Sequence, residues 1–457
     1  MSNKRSTRTG NITEFDISST NGSISVEAAA GIVDLNYYES LWKNTSNLVV
    51  QVVESGESDN EKLGNKGMLD GLPLRGGNAA TISFEDNVGG SLKFKGEDKL
   101  YLNRIKNVMP GTQKDTYTLE FKPREYFANE TCRVVKRYDG KISENVKKIL
   151  TEATSKDVGI KTKKSIENID NTLQEYNFIG NDRKPFDVIQ WLTTKSIPEG
   201  AGKEGGAAGY FFYETHDGFN FKSIDVLLGQ ESKGKYIFTN TADTPPKYKG
   251  KIIKYTIDRD MDLGYNLSMG AYSNRTLFLD PINFDYKARN FSVNESGPAK
   301  EKEGAGSKGK IQTATDNEID YFDEQFGAPP SRLMSRVLDP GVLPSGKDVD
   351  DELKKWKEEK TKPTFDAAET MVQCLMRYNQ LFSVKINIII PGDFNLRVGD
   401  LIECEFPEQT TNPNPDINRQ SGGKYIIAEL RHRLTTKDTF TYLTLVRDTF
   451  NQPSKSD

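Results

Sequence analysis

Leu74-Arg-Gly-Gly77 leads to Phe84, and 322 residues later Leu396-Arg-Val-Gly399 leads to Phe406 (396 less 74, 406 less 84). Tyr101 and Tyr425 follow at an offset of 324, then Lys114-Asp-Thr-Tyr-Thr118 and Lys437-Asp-Thr-Phe-Thr441 at 323. Each match alone is ordinary strand composition, and two unrelated hairpins could share any one of them. Order and spacing kept over about 50 residues, with slips of one or two, mark an internal repeat. A repeated antiparallel unit has to hide its strand edges, and small closed barrels are the natural way to do so. Three such chains would present six similar units in a ring, matching a six-fold partner.

Around the first copy the sequence alternates as strands do. Val33, Leu35 and Tyr37 recur at every second position, and Asn47-Leu-Val-Val-Gln-Val-Val53 is rich in β-branched residues. Gly71–Phe84 and Lys93–Phe121 continue as strands broken by Gly and Asn/Asp turns. Residues 1–14 read as a flexible tail and 15–130 as the first β-barrel. From 131 to 247 the period changes. Ile142, Val146, Ile149, Leu150 and Ala153 share a helical face with Ser143 as N-cap, and Pro185 opens a helix with the stripe Phe186, Ile189, Leu192. Tyr210-Phe-Phe-Tyr-Glu214 and Phe219-Asn-Phe221 flank Asp217-Gly218, a hairpin signal, so this stretch reads as an α+β domain. The second β-barrel is expected from 248–290 and 380–452.

Residues 291–379 read as an insertion with a mobile linker and helices. The linker, 292–318, is polar and rich in Gly and Lys. Val349, Leu353 and Trp356 mark a charged helix. A stronger one starts at Asp366, where Asp366 and Glu369 make a capping box and Ala368, Met371, Val372, Leu375, Asn379 and Phe382 one face. The fold class expected is mainly β with α+β: two similar antiparallel β-barrel domains, an inserted α+β domain and a helical or irregular excursion.

Composition narrows the function classes. A chain of 457 residues allows about three domains at roughly 150 each. Its 62 basic and 66 acidic residues give a net charge of −4, unsuited to non-specific nucleic-acid binding. Cys132, Cys374 and Cys404 are too few and too far apart for a disulfide framework or zinc knuckle, and fit folding in a reducing cytoplasm. The basic N-terminus is followed by no apolar signal segment, and the apolar run around Ile388–Ile390 is far below the roughly 18 residues a membrane helix needs. Two histidines, His216 and His432, remove most acid–base and metal chemistry.

The motifs that remain are imperfect. Gly304-Ala-Gly-Ser-Lys-Gly-Lys310 resembles a phosphate-binding loop, but Ile311 stands where Ser or Thr would reach magnesium and no strand precedes it. Asp258-Arg-Asp-Met-Asp-Leu-Gly264 has the rhythm of a calcium loop, yet its glycine is one place late and Met269 replaces the bidentate Glu. His216 reads as an exposed turn residue, His432 as part of a polar sheet face with Arg431 and Arg433, and Cys374 as a buried apolar group. No catalytic, cofactor-binding or metal-ligating residue is expected.

Leu35-Asn-Tyr-Tyr-Glu39, Gly71-Leu-Pro-Leu-Arg-Gly-Gly77, Asp115-Thr-Tyr-Thr-Leu-Glu-Phe121, Asn177-Phe-Ile-Gly-Asn181, Ile390-Pro-Gly-Asp393, Leu396-Arg-Val-Gly-Asp400 and Gly423-Lys-Tyr-Ile-Ile427 stand in one order. The set resembles the central baseplate hub proteins of T-even-like contractile-tail phages, especially the cyanophage type, and is similar to the hub part of VgrG proteins. It covers most of 20–290 and 365–450. The resemblance implies a non-enzymatic homotrimer, two barrels per chain, forming a pseudo-six-fold ring between the hexameric tail tube and the trimeric central spike. It implies baseplate wedge proteins as neighbours and a lumen passing tape-measure protein and then DNA. It also implies a virion tail location after assembly in the host cytoplasm, with no membrane insertion. An acidic chain suits a lumen that repels phosphate. No needle-like repeat follows residue 450, so the spike is expected on a separate polypeptide. The alternatives are a type VI-like injection hub and a tail-associated peptidoglycan hydrolase.

Overall fold

The computed structural model describes most of residues 7–447. Residues 1–6, 56–62, 200–207, 293–329, 339–349, 355–366, 409–416 and 448–457, with several shorter stretches, lie outside the described residues. The first copy holds β1 (Asn11–Ser18), β2 (Ser25–Glu27), β3 (Ile32–Ser40), β4 (Asn47–Ser55), α1 (Met68–Gly71), β5 (Ala79–Glu85), β6 (Ser91–Phe94), β7 (Leu100–Met109) and β8 (Lys114–Pro123). A middle unit follows: α2 (Arg124–Thr131), β9 (Arg137–Tyr138), α3 (Ile142–Thr151), β10 (Asn168–Ile169), β11 (Phe178–Ile179), α4 (Pro185–Thr193), β12 (Tyr210–Thr215), β13 (Gly218–Ser223) and α5 (Ile224–Gly229). Then come β14 (Lys235–Phe238), β15 (Gly250–Ile252), β16 (Lys254–Asp258), α6 (Leu263–Met269), β17 (Ser273–Asp280), β18 (Asp285–Ser292), β19 (Arg332–Val337) and α7 (Ala367–Leu381). The chain ends in β20 (Val384–Pro391), β21 (Leu401–Glu405), β22 (Gly423–Thr435) and β23 (Thr439–Arg447).

The sequence repeat is a repeat of strand order. Antiparallel ladders run β3-β4-β8-β7-β5 in the first copy and β16-β20-β23-β22-β21 in the second. An irregularity repeats too. A bulge between Leu102 and Arg104 faces Phe121 and Glu120, and one between Ile427 and Glu429 faces Leu445 and Thr444. The glycine of each Leu-Arg-x-Gly motif has positive φ, 77° at Gly77 and 88° at Gly399, where a side chain is strained. Their amides donate to Leu102 O (2.7 Å) and Ile427 O (2.9 Å), so the motif ties the entry of β5 or β21 to the bulged strand.

Each copy turns back on itself through a continuous chain. In the first, β1 pairs β5 and β2, and β2 runs through a short 3-10 turn into β3. In the second, β14 pairs β21 and β15, and β15 runs through Ile253 into β16. Among the described residues, no uninterrupted ladder closes either copy. The copies are fused where Glu429–Thr435 of β22 pairs antiparallel with Asp34–Ser40 of β3, giving one 15-stranded sheet. Separate cores fill them. Phe15, Leu35, Tyr37, Val50 and Phe121 lie in the first, and Ile386, Ile388, Leu401, Tyr425 and Leu443 in the second. The middle unit has its own core, including Ile149, Ile189 and Phe212.

Several boundaries differ from the sequence reading. β1 begins at Asn11, inside the stretch read as a tail, and β5 begins only at Ala79, after Gly76 and Gly77 have turned the chain. Of 248–290, only 250–258 joins the large sheet; β17 and β18 pair with β19 in a sheet of their own. Pro185 does open α4, but Ser143 does not cap α3. Lys141 occupies that position, and the Ser143 hydroxyl instead accepts from Thr172 N (3.2 Å). The described buried side of α7 is Thr370, Gln373, Cys374, Arg377 and Leu381, whereas Leu375 and Asn379 are only half-buried. The helix turns polar groups inward because it meets the middle unit. Ala208 N donates to Gln373 Oε1 (2.7 Å), and Arg377 pairs with Asp225 at 3.0 Å. Asp366, Phe382, Val349, Leu353, Trp356 and linker positions 293–318 lie outside the described residues.

Candidate functional site

The surface common to both copies is the sheet β16-β20-β23-β22-β3-β4-β8-β7. At its centre Arg433 forks onto Asp34 (3.0 and 3.2 Å), and Arg431 donates to Asn36 (2.8 Å). The Arg431 guanidinium lies 5.7 Å from the Tyr38 ring and 5.0 Å from that of Tyr442. Planar cations stacked on aromatics and forked onto a carboxylate fix the register of two strands. Alternation puts Arg431 and Arg433 on this open face and turns His432 into the core. His432 is fully buried, with Nδ1 2.9 Å from Thr441 Oγ1 and its ring stacked on Tyr37. The polar-face reading therefore holds for the arginines and fails for the histidine.

Behind the ladder lies a joint of all three units. Glu39 is buried; its Oε1 accepts from Tyr37 OH (2.9 Å) and from His216 N (2.8 Å), its Oε2 from Val398 N (2.9 Å). Burial pushes its pKa up to about 7 against the pull of Arg397 and these donors. Arg397 pairs in turn with Asp217 at 3.1 Å. His216 is half-buried and edge-on to Phe94, so it is not the exposed turn residue expected. Burial and then Arg397 press its pKa down to about 4. A second buried carboxylate, Glu214, accepts from Ser46 N (2.9 Å) and pairs with Lys164, which lies 3.8 Å from Glu125. Burial works against the Lys164 charge, but Glu214 and Glu125 outweigh it and raise its pKa. These groups clamp the β12–β13 turn between the copies.

The remaining candidates do not converge. Cys374 is buried, which pushes its thiol up to about 12. Asp258 ends β16 opposite Lys385, and the next four positions of the calcium-like stretch lie outside the described residues, as does the 304–310 loop. Among the described residues, no cluster of His, Cys, Asp and Glu could hold a metal ion, and no helix is long and apolar enough to cross a membrane. A groove of about 540 Å³ on the open face is lined by Tyr38, Lys43, Lys254, Glu429, Arg431 and Tyr442 among others.

The two ends of the copies differ. At one end stand the β7–β8 and β22–β23 turns, one from each copy (Met109 opposite Thr116, Leu434 opposite Thr439). Asp34 opposite Thr435 shows that the copies point the same way. At the other end the chain leaves β8 at Pro123 for the middle unit and leaves β16 at Asp258 for the 259–383 excursion. Sequence reasoning found the repeat and set Arg431 and Arg433 on a polar sheet face, but did not single out Glu39. Strand alternation at Arg431-His-Arg433 was the signal for the two arginines.

No family model matches the chain, and no curated protein does. The solved structures it is similar to include phage tail proteins and type VI secretion components. The 43 kDa tail protein of prophage MuSo2 from Shewanella oneidensis is 9% identical, with 96% of this chain and 100% of that one covered and a TM-score of 0.49. A tail protein from Neisseria meningitidis MC58 is 9% identical, at 96% and 98% coverage and 0.49. A Francisella PdpA–VgrG complex chain is 9% identical, at 100% and 55% coverage and 0.41.

Proposed function

We propose that this chain is a non-enzymatic hub of a contractile phage tail baseplate, a homotrimer whose six β units form a ring around a channel. The observation that carries this reading is the difference between the two ends. The repeated turns lie together at one end, while both long non-repeated segments leave from the other. Three copies would thus show a six-fold pattern to a hexameric tube and a three-fold pattern to a trimeric spike. Tape-measure protein and DNA would pass through the channel, and wedge proteins would contact the outside. The virion tail is its place in this reading, after assembly in the host cytoplasm.

One expectation changes. If the open sheet face lines the channel, its basic side chains (Arg104, Lys106, Lys114, Lys122, Lys254, Lys385, Arg431, Arg433) outnumber its acidic ones (Asp34, Glu120, Asp258, Glu429). A net acidic chain therefore does not imply a phosphate-repelling wall. Electron-microscopy class averages down the symmetry axis test the proposal: a three-fold ring with six similar lobes is expected. A monomer at micromolar concentration in native mass spectrometry refutes it, and lysis of peptidoglycan by the chain alone would favour the hydrolase.

A further inference from the structure

The ladder that fuses the two copies is one half of a pattern. One edge of β22 is bordered by β21 along Gly423–Ile426 and then by β3 along Glu429–Thr435. The same edge of β7 is bordered by β5 only at Leu100 and Tyr101; beyond Leu102, no described strand pairs it. Likewise β3 lies between β4 and β22, whereas its counterpart β16 pairs β20 alone. The open β7 edge ends in exposed apolar residues, Val108 at 49% and Met109 at 66%. An unpaired edge with exposed apolar residues is a template for another strand.

We propose that β16 of one chain adds antiparallel to β7 of a second copy, in the register that β3 keeps with β22. This rests on the ring assembly above and supplies its contact. The matched bulges fix the register. Lys106 and Met109 face Thr118 and Thr116 as Arg431 and Arg433 face Tyr442 and Phe440. Between Lys106 and Met109 the first copy has an additional bulge, with Asn107 at φ 51°. On the other side, Leu48 faces Tyr37 and Phe121, and Ile386 faces Ile257 and Leu445. Ile257 therefore takes the place of Tyr37, Thr256 that of Asn36 and Asp258 that of Tyr38. Within the chain, Tyr38 faces Arg431 and Asn36 faces Arg433. Between chains, Asp258 then faces Lys106, and Thr256 faces Met109. An aspartate meets a lysine, itself paired with Glu120 at 2.5 Å, where the chain-internal ladder has a tyrosine under an arginine, so the edges match in direction and set Asp258 beside that ion pair. The contact is head-to-tail, of the kind that closes rings.

The test is disulfide trapping in the full-length chain, whose three native cysteines are buried. Directly opposed antiparallel positions are close enough to bridge. Under mild oxidation, Met109→Cys with Thr256→Cys is expected to give a cross-linked series ending at the trimer, and neither single variant should. A shifted control, Met109→Cys with Lys254→Cys, should stay unlinked. If the protein is a trimer by native mass spectrometry and only the shifted pair, or neither, cross-links, the edge pairing is overturned while the ring stands. If wild type is monomeric at micromolar concentration, both fall. Charge reversal gives a second reading without cysteines. Lys106→Glu is expected to weaken association by roughly fivefold per interface, and adding Asp258→Lys to restore it. No change from the first, or no rescue by the second, counts against the pairing.

Discussion

Replacing Glu39 by Gln is expected to change stability by an amount that reverses sign with pH. The Glu39 carboxyl sits at about 7 in the folded chain against an ordinary 4.5. At about 1.4 kcal/mol per tenfold change in proton affinity, that difference corresponds to ~3 kcal/mol. A raised folded value means the contribution is fully present below 4.5 and is lost as pH rises through about 7. His216 opposes it: with its folded value near 4 against 6.5, its contribution is present above 6.5 and lost as pH falls through 4. The two largely cancel between pH 5 and 6.5, so the wild-type curve alone is uninformative. The difference between wild type and variant isolates Glu39, with Tyr37, Arg397 and Asp217 unchanged. Gln cannot accept on both sides, and facing its amide to Val398 N–H or His216 N–H costs about 1–2 kcal/mol. Urea denaturation at pH 5 should therefore find Glu39→Gln less stable by that amount. By pH 8 it should have gained ~3 kcal/mol on wild type and be the more stable protein. A difference constant to within about 0.5 kcal/mol from pH 5 to 8 would refute the buried three-way joint.

Two further perturbations probe the same scaffold. Lys164→Met leaves Glu214 and Glu125 buried without their cation and should cost about 3–5 kcal/mol in urea denaturation, with Glu214→Gln in the same chain recovering part of it. Gly399→Ala puts a Cβ at φ 88° against the Tyr213 hydroxyl and should cost about 2 kcal/mol or more, whereas Gly77→Ala, with φ 77° but nothing near its Cβ, should cost less.

The repeat was legible because it is written in residues that geometry demands twice. Leu-Arg-x-Gly recurs because the glycine must turn with positive φ and hand its amide to a bulged strand. The Asp-Thr-aromatic-Thr match is one residue out of register: the matched bulges align Tyr117 with Thr441 in the core, and Phe440 falls on the open face with Thr116. Periodicity also found α3 and α4, whose cores are local. It could not find the rest, because those residues answer to distant partners. The described buried side of α7 carries polar groups among its apolar ones, since Gln373 and Arg377 meet Ala208 and Asp225 across more than 150 intervening residues. Glu39 closes the Leu35-Asn-Tyr-Tyr-Glu39 motif, but nothing in the sequence singles it out among 66 acidic residues. Only the fold brings His216 and Val398 to it; the hairpin turn and the Leu-Arg-Val-Gly motif that hold them say nothing of a shared carboxylate. The strands of 273–292 carry ordinary β composition, and nothing in them says that their partner is Arg332–Val337 and not the large sheet.

The chain-internal junction and its proposed counterpart between chains are unequal in one respect. The β3–β22 ladder is braced from behind by the β12–β13 turn, through Glu39, His216 and the Arg397–Asp217 pair. At the β7–β16 junction Ile257 replaces Tyr37, and the only described partner of β16 is β20. A ring made this way has three braced and three unbraced seams, and dilution should open the unbraced ones first. Hydrogen exchange reads this directly. Amides of Glu429–Thr435 on the β3 side should be protected in monomer and trimer alike. Those of Arg104–Met109 that face away from β8 should be protected only in the trimer. Protection of both sets in the monomer would mean that the β7 edge is already covered within the chain, and loss of both on dilution would mean that the brace does not hold the internal seam.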